Sequence, residues 1–288
     1  MKTYLDCYGC FVKQSLKIAR KTGCDDVLQK VILDEVLKTL IECDGELPPP
    51  LIAEKIENII HTLTKCVDPY KEIKKWSNDE ALKLYLQLKE ILQNSSDKLT
   101  TAIKLSAFGN LIDFAIVEKI DLNSELERYV YLLLKGQSID IFASRLAKAE
   151  SLLIIGDNAG EIVFDKILVE YLADEYPKLE IFYSVRHSPV INDATTEDAR
   201  YIGLDKICKV ISSGLAAPGT VLERCSNKFQ KIFNSVHLII SKGQGNYETM
   251  SNIKDERLFY LLKVKCEVVS RHLGFDIGNI VLAHAKNN

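Results

Sequence analysis

Ser151-Leu-Leu-Ile-Ile-Gly-Asp-Asn-Ala-Gly-Glu-Ile-Val-Phe-Asp165 contains a strand, a loop and the start of a helix. Leu152 to Ile155 form a short apolar run that suits a strand buried on both faces. Gly156 breaks it, and two side chains with oxygen ligands, Asp157 and Asn158, follow at once. Ala159 and Gly160 keep the turn small. From Glu161 the apolar positions Ile162, Ile167, Leu168, Tyr171 and Leu172 fall at helical spacing. Strand, tight loop and helix make the half-unit of an open α/β sheet, in which ligands bind beyond the carboxyl ends of the strands. Asp157 and Asn158 stand at such an end.

Downstream the alternation continues. Glu180–Val185, Ile207–Ile211, Val236–Ser241 and Phe259–Val264 read as strands, and Ile280–Ala283 as a possible edge strand. Helices are expected at Glu161–Asp174, Asp193–Ile202, Gly219–Cys225 and Val268–Leu273. Upstream, helical patterns dominate. One runs from Cys7 to Lys21 and a second starts near Asp25. A third carries Ile52, Ile56, Ile59, Ile60 and Leu63 on one stripe. Ser77-Asn78-Asp79-Glu80 has the form of a capping box opening a helix. A further helix holds Ala107 to Asp113, and Ser124–Lys135 and Asp140–Ala149 are also expected to be helical. The fold class is therefore α/β: an N-terminal helical region, 1–150, then a doubly wound, mostly parallel sheet with flanking helices, 151–288.

Composition narrows the function. A length of 288 residues with 47% apolar and 27% charged residues suits a globular chain large enough for a substantial core. A net charge of −3 gives no reason to expect nucleic acid or an anionic membrane as partner. No apolar run approaches the roughly 20 residues that span a bilayer. The first residues lack the apolar segment of a secretory signal, so a cytoplasmic location is expected. The eight cysteines are scattered, which argues for reduced thiols rather than a disulfide framework.

Groups that could carry chemistry collect past the strand ends. These are Asp157, Asn158 and Glu161; then Arg186, His187, Asn192 and Asp193; then Ser212, Ser213 and Gly214; then Lys242-Gly-Gln-Gly-Asn-Tyr247; then Lys265. A parallel sheet opens all of them on one edge. Hard oxygen ligands suit Mg²⁺, Mn²⁺ or a similar ion, and lysines with free backbone N–H groups suit phosphate. Each group also has a plain structural use. Asp157-Asn158 and Asn192-Asp193 are good turn and cap residues, and an exposed Lys265 is ordinary. The functional reading rests on their convergence.

Gly156-Asp-Asn-Ala-Gly-Glu161, Pro189-Val-Ile-Asn-Asp-Ala-Thr195, Lys242-Gly-Gln-Gly-Asn-Tyr-Glu248 and Leu262-Lys-Val-Lys265 occur here in an order that resembles the metal-dependent damage-control phosphatases. The likeness is greatest to the archaeal and bacterial branch, which carries an N-terminal Cys-x-x-Cys, here Cys7 and Cys10. The resemblance implies one divalent ion (Mn, Co, Ni or Mg) on Asp157, Asn158 and Asp193. It also implies substrate contact by Glu161, Lys242 and Lys265 at the phosphate, and Asn110 facing the cleft. Of the eukaryotic-branch motif Arg-Thr-x-Lys, only the final lysine is matched in Leu262-Lys-Val-Lys265. Arg186 is a further candidate for substrate binding.

The expected activity is hydrolysis of phosphomonoesters of small metabolites, such as sugar phosphates or damaged cofactor intermediates, by attack of metal-bound water. Asp157, Lys242 and Lys265 would be its catalytic residues. A nucleotide phosphohydrolase or pyrophosphatase on the same site, or a non-catalytic metal- or nucleotide-binding protein, are the alternatives. Cys7-Tyr-Gly-Cys10 fits two inward-facing thiols one helical turn apart, a metal site that borrows further ligands, or a redox pair. His61 and His237 sit in core patterns, while His187 follows a strand end beside Arg186.

Overall fold

The computed structural model describes residues 1–109, 134–136 and 138–285. The early chain is helical: α1 (Leu5–Lys21), α2 (Asp26–Glu42), α3 (Pro49–Thr64), α4 (Lys71–Lys83), α5 (Tyr85–Gln93) and α6 (Lys98–Gly109). Strand β1 (Leu134–Lys135) and helix α7 (Ile139–Leu146) lead to the α/β part. There follow β2 (Ser151–Ile155), α8 (Glu161–Glu175), β3 (Glu180–Val185), α9 (Thr196–Tyr201) and β4 (Lys209–Ser212). The chain ends with α10 (Asn227–Ser235), β5 (Leu238–Lys242), α11 (Gln244–Met250), β6 (Leu258–Lys263), α12 (Glu267–Leu273) and β7 (Ile280–His284).

The strands form one sheet in the order β1-β7-β6-β5-β2-β3-β4. Every pairing is parallel except β6 with β7. The predicted class, mixed α/β with a mostly parallel sheet, is what the chain adopts. From β2 the chain moves outward to β3 and β4, then returns to place β5 on the other side of β2. That reversal opens a crevice between the carboxyl ends of β2 and β5, the topological switch point.

Leu152 and Ile154 of β2 point into the core on one sheet face, and Leu153 and Ile155 into the core on the other. All four are at most 1% exposed, which explains the unbroken apolar run. Helices α4 to α8 belong to the first face; there Phe108 of α6 meets Phe164 of α8 edge-on with ring centroids 5.5 Å apart. Helices α1 to α3 pack round a small core of their own, with Phe11, Ile32, Val36, Ile52 and Ile56. The helical region thus has two parts: α4–α7 share the sheet's core, whereas α1–α3 form a separate layer.

Several local expectations need correction. Ser77 and Asn78 do not cap a helix; they lie buried inside α4. The segment expected to be helical from Asp193 begins its helix only at Thr196, where Thr195 and Asp198 form a capping box. Gly219–Cys225 holds only a 3₁₀ turn at Leu222–Arg224, and the helix comes later, at Asn227–Ser235. Leu134–Lys135, expected to end a helix, pairs with β7 as a strand. β7 is consequently flanked on both sides rather than lying at the sheet edge. The glycine-rich stretch after β5, to which the sequence pattern assigns no element, is the helix Gln244–Met250.

Candidate active site

Asp157 follows β2 directly, and its backbone carbonyl accepts from Ala194 N at 2.8 Å. Ala159 N donates to Asn192 O at 2.8 Å, and Asn158 and Asp193 pair as an isolated antiparallel bridge. These bonds fasten the loop after β2 to the loop after β3, which is how residues 36 apart in sequence become neighbours. Gly243, at the end of β5, completes the arrangement. Its φ is +77°, and a Cβ there would lie 1.9 Å from Asp157 Oδ2. Glycine is required both by the backbone and by the carboxylate it makes room for.

A cavity of about 540 Å³ opens at this point. Asp157, Asn158, Asn192, Asp193 and Lys265, from the sheet edge, and Cys7, Cys10, Phe11 and Gln14, from α1, all line it. The α1–α3 layer therefore supplies one side of the chamber and the sheet edge supplies the other.

Buried carboxylates dominate the electrostatics of the wall that carries Asp157 and Asp193. Burial, then Asp193, then Glu161 push the Asp157 carboxyl well above the usual carboxylate range, against the opposing pull of Lys265 and Arg186. Asp193 is likewise raised by burial, although Arg186 beside it acts in the opposite direction. Two buried carboxylates of this kind are costly when both are ionised unless positive charge accompanies them. Two carboxylates and a carboxamide form a hard-oxygen set of the kind that takes Mg²⁺ or Mn²⁺. Among the described residues no three His, Cys, Asp or Glu side chains gather as a metal cage by themselves. The set here contains only two acids, so an ion would draw its remaining ligands from Asn158, substrate or solvent. The donor chemistry fits a divalent ion.

The damage-control phosphatase ARMT1-like domain matches residues 3–281 of the chain. The chain belongs to that family. The damage-control phosphatase PH1575 of Pyrococcus horikoshii is 35% identical over 99% of both chains. A damage-control phosphatase of Archaeoglobus fulgidus is 31% identical over 96% of both. The crystal structure of the Pyrococcus horikoshii protein, described as a DUF89 family member, superposes with a TM-score of 0.92 at 33% identity, covering 99% of this chain and 100% of that one. Membership in the ARMT1-like family supports a phosphatase role.

The structure brings Asp157, Asn158, Asp193 and Lys265 together in the cavity. Lys242 and Arg186 stand behind that wall and, among the described residues, do not line the cavity. The Lys242 ammonium donates to Asp165 Oδ1 at 2.5 Å, Glu161 Oε1 at 2.7 Å and Ser106 O at 3.1 Å, so its three donors are taken. Burial alone would lower its pKa, but Asp165 and Glu161 outweigh it and hold the lysine protonated. Glu161 connects this cluster to the front: its other oxygen accepts from Asn158 Nδ2 at 3.4 Å. Arg186, only 2% exposed, donates to Asp193 Oδ2 at 2.6 Å, Thr220 Oγ1 at 3.1 Å and Asn246 Oδ1 at 3.0 Å. It orients the carboxylate of Asp193 from behind. His187 is exposed and faces Ser212 rather than the cavity. Asn110 lies outside the described residues.

Sequence reasoning missed four supporting groups. Asn246 donates to Gly156 O and Lys242 O while accepting from Arg186 and Thr220, tying the ends of β2 and β5 together. Asn78 of α4 accepts from Gly160 N at 2.7 Å and so fixes the turn behind Asp157. Asp165 anchors Lys242 and also accepts from Tyr183 and Ser106. Glu57 of α3 accepts from Ile191 N. Asn246 and Asp165 lie within quoted motif stretches. Asn78 and Glu57 carry no local signal, because their partners lie 82 and 134 residues away.

Proposed function

We propose that this chain is a divalent-metal-dependent phosphatase acting on phosphomonoesters of small metabolites, sugar phosphates or damaged cofactor intermediates. Asp157, Asn158 and Asp193 would hold the ion, which when bound would offset charge on the phosphoryl oxygens and acidify a water for in-line attack. Lys265, exposed at the cavity and, among the described residues, without an ion pair of the kind that holds Lys242, would meet the phosphate. Glu161, which accepts from both Lys242 and Asn158, would orient Asn158. Arg186 opposes the upward push of burial on Asp193 and would aim its carboxylate. The observation that carries this reading is the meeting of Asp157, Asn158, Asp193 and Lys265 in one chamber at the switch point.

The nucleotide reading is disfavoured by the same chamber. Lys265 is its only lysine or arginine among the described residues, against Asp6, Asp157, Asp193, Glu248 and Glu267. One phosphate can be accommodated beside that cation and an ion, whereas a second or third would face carboxylates. The deciding experiment is phosphate release from a panel of monoesters, nucleotides and pyrophosphate, with Mn²⁺, Co²⁺, Ni²⁺ or Mg²⁺ and with chelator. Turnover of monoesters that requires the ion and disappears in Asp157→Ala is the expected result. Release from pyrophosphate or nucleotides alone would replace the substrate class, and ion binding without turnover of anything would leave a binding protein.

A further inference from the structure

Three thiols stand on the walls of the chamber that holds Asp157 and Lys265. Cys7 and Cys10 come from α1, and Cys266 directly follows Lys265. All eight cysteines are free thiols, and Cys10 is the one of them that is exposed. Cys208 and Cys225, by contrast, are pushed up to about 12 and about 11 by burial and are poor nucleophiles. A soluble disulfide that enters the chamber therefore meets Cys10 first.

We propose that Cys10 is a thiolation site inside the chamber and that Cys7 clears it by closing a Cys7–Cys10 disulfide. Residues three apart on a helix have Cα atoms roughly 5 Å apart, inside the ~4.4–6.8 Å window that a disulfide spans. Cys7 lies in the first turn of α1, its N–H donating to Tyr4 O at 2.9 Å, and Cys10 lies one turn further along the same helix. Cys7 is half-buried against the core below the sheet, and burial raises its thiol above the usual range. That makes it a poor first attacker but leaves it beside the sulfur it would attack second.

The chemistry balances with a low-molecular-weight disulfide as oxidant. The Cys10 thiolate attacks one sulfur of that disulfide, forming a mixed disulfide and expelling one thiolate. The Cys7 thiolate then attacks Cys10 Sγ, breaks the mixed disulfide and expels the second. Two protein thiols lose two electrons and two protons; the oxidant leaves as two thiols. In the first state a tripeptide-sized adduct occupies the chamber and competes with substrate. In the second the chamber is empty again.

The kinetic half of this inference rests on the phosphatase reading; the thiol chemistry does not. The test treats full-length protein with glutathione disulfide and follows intact mass, peptide mapping and monoester kinetics together. Wild type is expected to lose two hydrogens and keep its KM. Cys7→Ser is expected to gain one glutathionyl group on Cys10 and to show KM raised about tenfold or more with kcat little changed, reversed by dithiothreitol. Cys10→Ser is expected to take no adduct at this wall. Cys7→Ala replaces Cys7→Ser if the serine disturbs packing. An adduct mapping to Cys266, a Cys10–Cys266 disulfide, or a fully glutathionylated Cys7→Ser protein with unchanged KM would overturn the proposal. If unmodified protein turns over no monoester, the phosphatase reading fails while the mass result still decides the thiol chemistry.

Discussion

Glu57 Oε2 accepts the backbone N–H of Ile191 at 3.3 Å, joining helix α3 to the loop that presents Asp193. Ile191 has φ of +38°, a left-handed conformation that is strained for a β-branched residue. The surrounding structure has to hold it there, and Glu57 is part of that hold. Glu57→Ala is expected to weaken Mn²⁺ binding roughly tenfold, as loss of a supporting hydrogen bond behind metal ligands typically does. Glu57→Gln keeps an acceptor for the Ile191 N–H and should bind nearly as wild type. Calorimetric titration of metal-free protein checks both. Equal weakening in the two variants would show that charge, not the hydrogen bond, matters.

The same carboxyl gives a pH dependence of stability. Burial, the dominant cause, pushes Glu57 up to about 8, and its other oxygen, Oε1, is buried without a hydrogen-bond partner among the described residues. An unfolded glutamate titrates near 4.3. Between those values the folded state retains a proton that the unfolded chain has lost. Stability from this group therefore falls as pH rises from about 4 to about 8 and levels off above, by an amount on the order of a few kcal/mol. In metal-free protein, Glu57→Gln should unfold at a higher temperature than wild type at pH 8, with the difference vanishing near pH 4. Melting curves at both pH values, in the presence of chelator, decide it.

Gly243→Ala tests the cradle round Asp157. The added methyl would need to sit 1.9 Å from Asp157 Oδ2, at a backbone φ of +77°. Either the carboxylate or the β5 loop must move. A displacement of about 1 Å at a reacting centre can cost on the order of a hundredfold in rate. Phosphate release should fall by about that much and ion binding should weaken in parallel. Wild-type metal affinity in this variant would mean Asp157 is not the ligand assigned to it.

Asp157 and Asp193 could be paired from sequence because each follows a readable strand end. The strand supplies the address, and the parallel order brings the addresses to one edge. Lys242 was readable too, but from a different rule. Leu238, Ile240 and Lys242 alternate onto one face of β5, the face that α6 and α8 cover. Glu161 and Asp165, one turn apart on α8, share the side that meets it. Following the period of two would have put the ammonium beneath the helix instead of in the cleft. Helix α10 also had its signals, with Ser226 as N-cap and Phe229 and Phe233 four apart. Helix α11 hid behind Gly243 and Gly245, whose low helix propensity reads as loop until packing against Pro218 overrides it. The contribution of α1–α3 to the chamber was not legible. It depends on how a separate three-helix layer docks, through contacts such as Glu54 with Arg224 and Glu57 with Ile191, which no local pattern encodes.

The buried position of Lys242 makes a last prediction that separates a structural cation from a phosphate ligand. Lys242, Glu161 and Asp165 are each at most 1% exposed and satisfy one another. Removing the ammonium leaves two carboxylates in the core without their counter-charge, a change that typically costs ~3–5 kcal/mol. Lys242→Gln should therefore lower the urea midpoint markedly, even with no substrate present. Adding Asp165→Asn to that protein removes one of the stranded charges while keeping an amide oxygen that can still accept from Ser106 or Tyr183 and an amide NH2 that can donate to the other hydroxyl. The double variant should recover part of the lost stability, a coupling that a lysine free in the cavity would not show. A phosphate ligand with no structural duty predicts the opposite pattern. Stability would be unchanged in Lys242→Gln, Asp165→Asn would give no rescue, and the whole effect would lie in KM for the phosphomonoester.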